Sequence, residues 1–302
     1  MTHEDLQAPL LVLRDGLTRL ALAPSLGGAI ASWRRLRDGL PLLRDGGDAI
    51  APDASPRTLA QYPLVPWSNR IGRGGYETPQ GWQALAPNTS HDPHPIHGSA
   101  WQQAWQVVSH GARHAHLRLA CATPFAYVAE QHITLDGGCL DCRLVVTHHD
   151  PRPNWHGLGL HPYFPRNAAT RLHAPATGVW QGQPGALPDA LTPVPADWRF
   201  PQARALPATP VDHAFDGWDG TCVISQPDHG YALAGRATGC GLYLLYCPAG
   251  RDFFCFEPVS HPIDAHHLPG RPGLRWLTSG QQAALRWQLR YRETPAPHMT
   301  GV

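Results

Sequence analysis

The sequence predicts an all-β fold, a large antiparallel β-sandwich with few short helices. Apolar and polar residues alternate with period two along many segments, which is typical of strands with one buried face. The chain of 302 residues also carries 30 glycines and 32 prolines, spread throughout, which leave little room for ordinary helices. Because single β-sandwiches reach this length, we expect one domain over residues 1–302.

The predicted strands and turns follow in order along the chain. Asp-Gly at residues 15–16 predicts an N-terminal hairpin, and Gly-Gly at residues 27–28 predicts a turn. The segments 126–135 and 139–148, joined by Asp-Gly-Gly, form a second predicted hairpin. Near the C-terminus, residues 285–292 alternate between large apolar side chains and polar ones, which predicts a strand with one wet face.

The segment 174–210 is dense in Pro, Ala, Gly and Gln. An interdomain linker is one interpretation, but the strand signals on both sides are alike. We therefore expect a long surface excursion within one domain.

Composition excludes several classes of function. The formal charge is +1 and only 16% of residues are charged, so we expect neither nucleic acid nor an anionic membrane as a partner. No apolar run is long enough to span a bilayer, and the first residues are acidic where a signal peptide is basic. The seven cysteines are scattered, which favours reduced thiols and a cytoplasmic location. All 24 basic residues are arginine, which excludes lysine Schiff bases and P-loop lysines.

The segment 154–164, Asn-Trp-His-Gly-Leu-Gly-Leu-His-Pro-Tyr-Phe, contains the first candidate for catalysis. In a strand, Gly157, Gly159 and His161 share one face, and glycines within strands often mark close approach by a ligand or another backbone. Pro162 stops ladder donation, so we expect His161 where the strand opens into a loop. The alternative is a satisfied histidine in a tightly packed core.

Glu257 is the second candidate. Phe254 and Phe256 share one face of its strand and Glu257 lies on the other, and we expect Pro258 to end this strand. Partial burial raises the pKa of a carboxyl toward neutrality, where it can act as a general base. The alternative is a glutamate at a strand end that turns into solvent.

Further candidates lie in two loop-like segments. Asn69 and Arg70, flanked by glycines, carry forked donors suited to hydroxyl groups, although solvated arginines in a hairpin are an alternative. The histidines of 91–97 have a metal-like spacing, but the intervening prolines prevent a regular helix, so we expect no metal there. His97 is better interpreted as a loop donor facing a pocket. Asp212, by itself, is an ordinary turn acid.

Two other features receive weaker interpretations. Cys139 and Cys142 form a lone CxxC on a predicted strand, where they face opposite sides, so we dismiss it as a metal site. Most of the 11 tryptophans are expected in the core. The better candidates for stacking on a sugar are Trp67, Trp82 and Trp101.

Taken together, these residues resemble the aldose 1-epimerase (galactose mutarotase) family. The likeness runs from roughly residue 60 to 265, with strand-rich flanks on either side, and any one motif alone is weak. The matching segments are Ser68-Asn69-Arg70-Ile71, His97-Gly98 with Trp105, His161-Pro162-Tyr163-Phe164, Asp212-x-x-Phe215, and Phe256-Glu257-Pro258.

The resemblance implies a two-layer sandwich of the galactose mutarotase-like type whose concave face holds the sugar. It implies that Glu257 is the general base for the anomeric hydroxyl and His161 the general acid for the ring oxygen. Ring opening, rotation about C1–C2 and closure then exchange the anomers, with no metal or organic cofactor. The residues expected to hold the sugar are Asn69, Arg70, His97 and Asp212.

Departures from the family pattern include Pro165 and Trp67, which lie around the expected pocket and concern sugar identity. A hexose-6-phosphate mutarotase is one alternative, in which Arg70 and Arg73 contribute to a phosphate clamp. A non-catalytic sugar-binding module is another, although a pure binder needs no matched acid and base. A glycosidase that uses Asp212 with Glu257 is formally possible but leaves the histidine idle.

Overall fold

The computed structural model describes residues 10–51, 54–182 and 187–295. Within them the chain forms two large antiparallel sheets of ten and nine strands and two small two-stranded sheets, which confirms the predicted all-β class. No helix in these ranges is long and apolar enough to cross a membrane. The acidic start of the chain lies outside the described residues. The helical elements are short 3-10 turns, at Pro56–Thr58, Ala100–Gln102, Ala196–Trp198 and Pro227–His229.

The strands are numbered β1 to β23 along the chain. The ten-stranded sheet contains, in spatial order, β1 (Leu11–Arg14), β2 (Thr18–Ala23), β3 (Ala29–Arg35), β4 (Gln61–Leu64), β12 (Gly159–Pro165), β21 (Phe253–Val259), β20 (Leu242–Cys247), β17 (Val211–Asp216), β14 (Gly178–Gln181) and β15 (Ala190–Pro193). The nine-stranded sheet contains β16 (Phe200–Ala205), β13 (Arg171–Ala174), β18 (Thr221–Gln226), β19 (Tyr231–Thr238), β23 (Gln282–Glu293), β10 (Cys139–His148), β9 (Tyr127–Asp136), β8 (His114–Cys121) and β7 (Gln106–His110). The small sheets pair β5 (Gly75–Thr78) with β6 (Gly81–Ala84), and β11 (Asn154–His156) with β22 (Arg275–Leu277).

The main hydrophobic core lies between the two large sheets. Every second residue of β23 from Leu285 to Tyr291 is buried in it, as the alternation predicts. β9 pairs with β10 and β1 pairs with β2 as antiparallel hairpins, which confirms the two predicted hairpins. All seven cysteines are free thiols.

The segment 174–210 differs from the prediction of a surface excursion. It supplies β14 and β15 to one edge of the ten-stranded sheet and β16 to one edge of the nine-stranded sheet. Edge strands tolerate proline because one row of their N–H groups has no ladder partner, and this explains why a Pro-rich composition concealed them. The residues 183–186 within this segment lie outside the described ranges.

Pro162 and Pro258 were both expected to end their strands, and both expectations are wrong. Pro162 lies inside β12 and pairs with Gln61 on β4, while Pro258 lies inside β21 and pairs with Tyr243 on β20. Each proline thus keeps a strand neighbour on one side. On the side that β12 and β21 share, the ladder is interrupted between the pair Gly159–Val259 and the pair Tyr163–Cys255.

Candidate active site

The candidate site lies on the face of the ten-stranded sheet that points away from the main core. Leu160 and Phe164 of β12, with Phe254 and Phe256 of β21, point into that core. The residues between them therefore project to the other face. Neighbouring strands add side chains to the same face, and the outward set comprises Tyr62, His161, Tyr163, Asp212, Leu244, Tyr246, Cys255 and Glu257.

A cavity of about 380 Å³ opens on this face. This volume lies within the range of about 300–1,000 Å³ that is typical of small-molecule sites. Each of the predicted site residues lines it, although they lie far apart in sequence: Asn69, Arg70, His97, His161, Asp212 and Glu257.

His161 and Glu257 lie side by side on the floor of the cavity. The register of β12 with β21 pairs Gly159 with Val259 and Tyr163 with Cys255, so His161 and Glu257 stand opposite each other midway between these pairs. The distance from His161 Nε2 to Glu257 Oε1 is 3.3 Å. Both side chains are almost fully buried, at 8% and 1% exposure.

Burial changes the two groups in opposite directions. Together with the positive charges of Arg44 and Arg57, which have the smaller effect, it lowers the pKa of His161 to about 3. It raises the pKa of Glu257 well above its usual value, an effect that the negative charge of Asp212 reinforces. In both cases desolvation penalises the charged form. The contact between the two residues uses His161 Nε2 and Glu257 Oε1. The other two atoms, His161 Nδ1 and Glu257 Oε2, have no hydrogen-bond partner among the described residues and remain available to a ligand.

Aromatic rings fix the plane of the His161 imidazole. The rings of Tyr62 and Tyr163 both stack against the imidazole, with centroids 4.6 and 4.7 Å from its own. His97 approaches edge-on, with a centroid distance of 5.2 Å and an interplanar angle of 84°. These ring contacts hold the imidazole in place, and its Nδ1 atom forms no hydrogen bond with a described residue.

Two loops bring Asn69 and His97 together. The backbone of residue 70 bridges to Ile96, and the N–H of His97 donates to the carbonyl of Asn69 at 2.9 Å. The N–H of Asn69 in turn donates to His97 Nδ1 at 3.1 Å. Because Nδ1 accepts, the proton of the neutral imidazole lies on Nε2, where it can be donated to a ligand. Burial lowers the pKa of His97 well below its usual value, which keeps it neutral.

Arg70 is held between two carboxylates. Its Nε donates to Asp92 Oδ2 at 2.7 Å, and its Nη1 lies 3.5 Å from Asp212 Oδ2. Burial alone lowers the pKa of Arg70. The hydrogen bond with Asp92 and the negative charge of Asp212 outweigh this effect, so the pKa is raised. The alternative of a solvated hairpin arginine is wrong for this residue. It holds for Arg73, which is exposed and does not line the cavity.

Sequence reasoning did not find Arg44 and Arg57, which also line the cavity. The Arg44 guanidinium lies 3.4 Å from the centroid of the Tyr163 ring and donates to main-chain carbonyls, and Arg57 contacts His91. Neither arginine forms an ion pair with another described residue. Both lie before the first motif and carry no local signal of a role. Asp92 lies in the histidine-rich segment 91–97, and the sequence there carries no sign of its contact with Arg70.

The glycines of the His161 segment make room for protein side chains, not for a ligand. A Cβ on Gly157 would lie 2.1 Å from His261 Cδ2, and a Cβ on Gly159 would lie 2.9 Å from Leu64 Cδ1. The expectation of a face cleared by these glycines for a ligand is therefore wrong. His261 Nε2 accepts from the N–H of Ser68 at 3.0 Å, so the space at Gly157 indirectly supports the loop that carries Asn69.

The three tryptophans suggested for sugar stacking do not line the cavity. Trp67 packs in a separate apolar cluster, and Trp82 is 47% exposed on β6. Trp101 is buried behind the site, with its ring 5.5 Å from Tyr62 and 6.3 Å from His97. The aromatic side chains that line the cavity are instead Tyr62, Tyr163, Tyr246 and Phe253.

The sequence and the fold are similar to those of known proteins. The family model described as aldose 1-epimerase matches residues 9–290. The uncharacterized protein YphB of Escherichia coli K12 is 32% identical over 289 residues, which cover 92% of this chain and 97% of YphB.

Solved structures have the same fold. A crystal structure from Escherichia coli K12 matches with a TM-score of 0.87 and 31% identity, over 94% of this chain and 99% of that one. A GalM/aldose epimerase homologue from C. elegans matches with a TM-score of 0.78 and 15% identity, over 95% and 99%. Galactose 1-epimerase from Lactobacillus acidophilus NCFM matches with a TM-score of 0.75 and 15% identity, over 95% of each chain. The chain belongs to the aldose 1-epimerase family.

Proposed function

We propose that the protein is an aldose 1-epimerase that interconverts the α and β anomers of a free aldose such as galactose or glucose. The observation that carries the proposal is the pair of His161 Nε2 and Glu257 Oε1, 3.3 Å apart on the floor of a cavity of sugar size. The anomeric oxygen and the ring oxygen of a pyranose are bonded to the same carbon. An acid and a base that serve them must therefore lie side by side, as these two do.

In the proposed reaction, the carboxylate of Glu257 takes the proton of the anomeric hydroxyl while the imidazolium of His161 gives a proton to the ring oxygen. The bond between C1 and the ring oxygen breaks, and the open-chain aldehyde forms. Rotation about C1–C2 presents the other face of the carbonyl. Closure with the two roles reversed gives the other anomer and restores both groups.

Burial supports this chemistry because it controls the number of protons on the pair. A protonated carboxyl beside a neutral imidazole carries the same single proton as a carboxylate beside an imidazolium. Desolvation favours the uncharged arrangement in the empty site. A bound sugar supplies hydroxyl and ring oxygens that stabilise the charged arrangement at the moment of transfer, and no proton needs to enter from water.

We infer that the remaining predicted residues position the sugar. The Nε2–H of His97 and the amide of Asn69 are donors for hydroxyl oxygens, and Asp212 is an acceptor. Asn69 Oδ1 already accepts from the backbone N–H of Arg70 at 2.9 Å, which leaves its NH₂ group free to donate. The Asp92 carboxylate fixes the Arg70 fork and thereby orients it toward the cavity.

Polarimetry of freshly dissolved α-D-galactose and α-D-glucose tests the proposal. The protein should accelerate anomer equilibration, and His161→Ala or Glu257→Gln should each reduce kcat by roughly 100-fold or more, since each removes a proton-transfer group. His110→Ala and Glu293→Gln are the matched controls, because both residues are exposed and distant from the cavity. If the sugars bind but equilibrate no faster, the protein is a sugar-binding module and the proposal fails.

A second candidate, a hexose-6-phosphate mutarotase, is favoured by Arg44 and Arg57. These two cations line the cavity without an ion pair among the described residues, and arginine is well suited to bind phosphate. The same assay with glucose 6-phosphate distinguishes the candidates. A lower KM for the phosphate, raised selectively by Arg57→Gln, would support this candidate. Equal kinetics for free and phosphorylated sugars would exclude it.

A further inference from the structure

A thiol lies beside the acid–base pair and takes no part in the proposed reaction. Cys255 is fully buried on β21, two residues before Glu257 and on the same face of the strand. The imidazole nitrogen of His161, the Sγ of Cys255 and a carboxylate oxygen of Glu257 all lie within 4.8 Å of one another. We propose that these three side chains form a binding site for Zn²⁺ or a similar thiophilic divalent ion, and that the bound ion inhibits the enzyme.

The backbone places these donors on rigid elements. Cys255 stands opposite Tyr163 in the register of β12 with β21, and Glu257 stands opposite His161. The three donor side chains therefore occupy adjacent positions on one sheet face, in the interior of the ten-stranded sheet. Sites that are built on central strands vary less in geometry than sites on loops.

The donor set suits zinc. Imidazole nitrogen, thiolate sulfur and carboxylate oxygen are its usual protein ligands, and three such ligands leave a fourth position open to water from the cavity. Tetrahedral bonds of about 2.0–2.3 Å hold donors roughly 3.3–3.7 Å apart. Donors now up to 4.8 Å apart must converge by roughly an ångström, which small side-chain rotations supply.

Charge balance favours the ion once the ligands lose their protons. Binding releases the Cys255 thiol proton and the proton shared by His161 and Glu257 to water, so two negative charges face the dication. The positive charges of Arg44 and Arg57 oppose binding of the dication, just as they lower the pKa of the His161 imidazole. No arginine donates to Glu257 within the described part of the chain, and its Oε2 has no partner there.

Inhibition follows from occupancy. An ion on the imidazole nitrogen and the carboxylate occupies the lone pairs that the reaction needs for proton transfer. This consequence rests on the proposed function, whereas binding of the ion does not. The two can therefore be measured separately.

A second cluster is the competitor that the experiment must separate. His116 and His132 stack on the nine-stranded sheet with ring centroids 4.2 Å apart, and Glu130 Oε1 lies 3.0 Å from His116 Nε2. Donor atoms of these three residues also lie within 4.8 Å of one another. The cluster is partly exposed and contains no thiol, so it offers no sulfur to a thiophilic ion.

Titration of the chelator-treated, full-length protein with Cd²⁺ tests binding. The thiolate-to-metal absorption band in the ultraviolet should appear with wild type, with Cys142→Ala and with His116→Gln, and should be lost in Cys255→Ala. Zn²⁺ should slow mutarotation at least tenfold in wild type, and the ratio of rates with and without Zn²⁺ should return toward one in Cys255→Ala. Cys142 is the matched control because it is a buried thiol on the nine-stranded sheet.

Two results would overturn the inference. One is that Cd²⁺ binds without a thiolate band and that this binding disappears in His116→Gln. Such a result places the ion at the second cluster. The other is a zinc-edge X-ray absorption spectrum of the wild type without a sulfur neighbour near about 2.3 Å, a measurement that depends on no variant. A thiolate band in a protein that does not accelerate mutarotation would leave the metal site standing and refute the proposed function.

Discussion

At the residue scale, the character of the site comes from two ionisable groups that have almost no water around them. His161 and Glu257 each resist carrying a charge alone, and together they retain one proton between them. A second proton is added only where the imidazole titrates, and burial has lowered that pKa to about 3. The shared proton is lost only where the carboxyl titrates, and burial has raised that pKa well above its usual value.

We therefore predict that kcat/KM of the protein is flat from about pH 5 through neutrality. The active form of the pair holds one proton. Because the His161 pKa is lowered, the acid limb is shifted far below the usual histidine value of about 6.5, and because the Glu257 pKa is raised, the alkaline limb begins late. Polarimetry in buffers that do not themselves catalyse mutarotation measures the profile. An acid limb centred between about pH 6 and 7 would contradict a buried, proton-sharing pair.

Sequence motifs could find the residues of this site where the chemistry is encoded locally. His161 and Glu257 each occur in a strand-like segment with apolar neighbours, and Asn69 lies among glycines. Arg44 and Arg57 could not be found in this way, because a solitary arginine in a loop looks the same whether it faces water or a cavity. Only the fold, which brings residues from separate loops to one sheet face, distinguishes the two cases.

At the element scale, the prolines of β12 and β21 were the main source of error in the strand ends. A proline has no N–H and so removes one ladder hydrogen bond, on the side to which that N–H would point. Pro162 and Pro258 keep a partner on the outer side of the β12–β21 pair and interrupt the ladder on the inner side. This interruption of the ladder surrounds His161 and Glu257. The two prolines, which were expected to end the strands, therefore lie beside the site residues within continuous strands.

A prediction at this scale concerns Gly98, the residue after His97. Its φ is +69°, and a Cβ there would lie 2.0 Å from the carbonyl oxygen of Val65, a backbone atom that cannot move aside alone. Gly98→Ala should lower the free energy of unfolding by roughly 1–3 kcal/mol or more. It should also reduce kcat/KM because the backbone that holds the His97 side chain must shift. Urea denaturation and polarimetry measure both effects.

Gly16→Ala is the matched control for that substitution. Gly16 has no atom within 4 Å of an added Cβ. Its change should leave kcat/KM at the wild-type value. If Gly98→Ala is as stable and active as Gly16→Ala, the close contact between the two loops does not position His97.

At the scale of the whole molecule, the two large sheets share one core, and the segment 174–210 joins both of them. That segment is the part of the fold that composition concealed most completely. Two of its three strands, β15 and β16, are the outermost strands of their sheets, where proline and glycine are tolerated and alternation is weak. The long central strands were predictable because each must bury one full face, and burial of a face imposes a strict period of two.

The shared core predicts that the molecule unfolds as one unit. Trp287 of β23 is buried against Phe256 of β21, with ring centroids 6.3 Å apart, so it links the nine-stranded sheet to the strand that carries Glu257. Trp287→Ala should cost about 3–5 kcal/mol and lower Tm by roughly 5–15 °C. The transition should remain single, with the same midpoint by far-UV and near-UV circular dichroism.

Trp82→Ala provides the comparison, since Trp82 is 47% exposed on β6 and its removal should change Tm by no more than roughly 2 °C. At temperatures where Trp287→Ala is still folded, its kcat should match that of wild type, because no side chain of the cavity is altered. Two separate transitions, with the nine-stranded sheet melting first, would instead mean that the sheets unfold independently. In that case the expectation of one domain over residues 1–302 would be wrong, and the site would depend on the ten-stranded sheet alone.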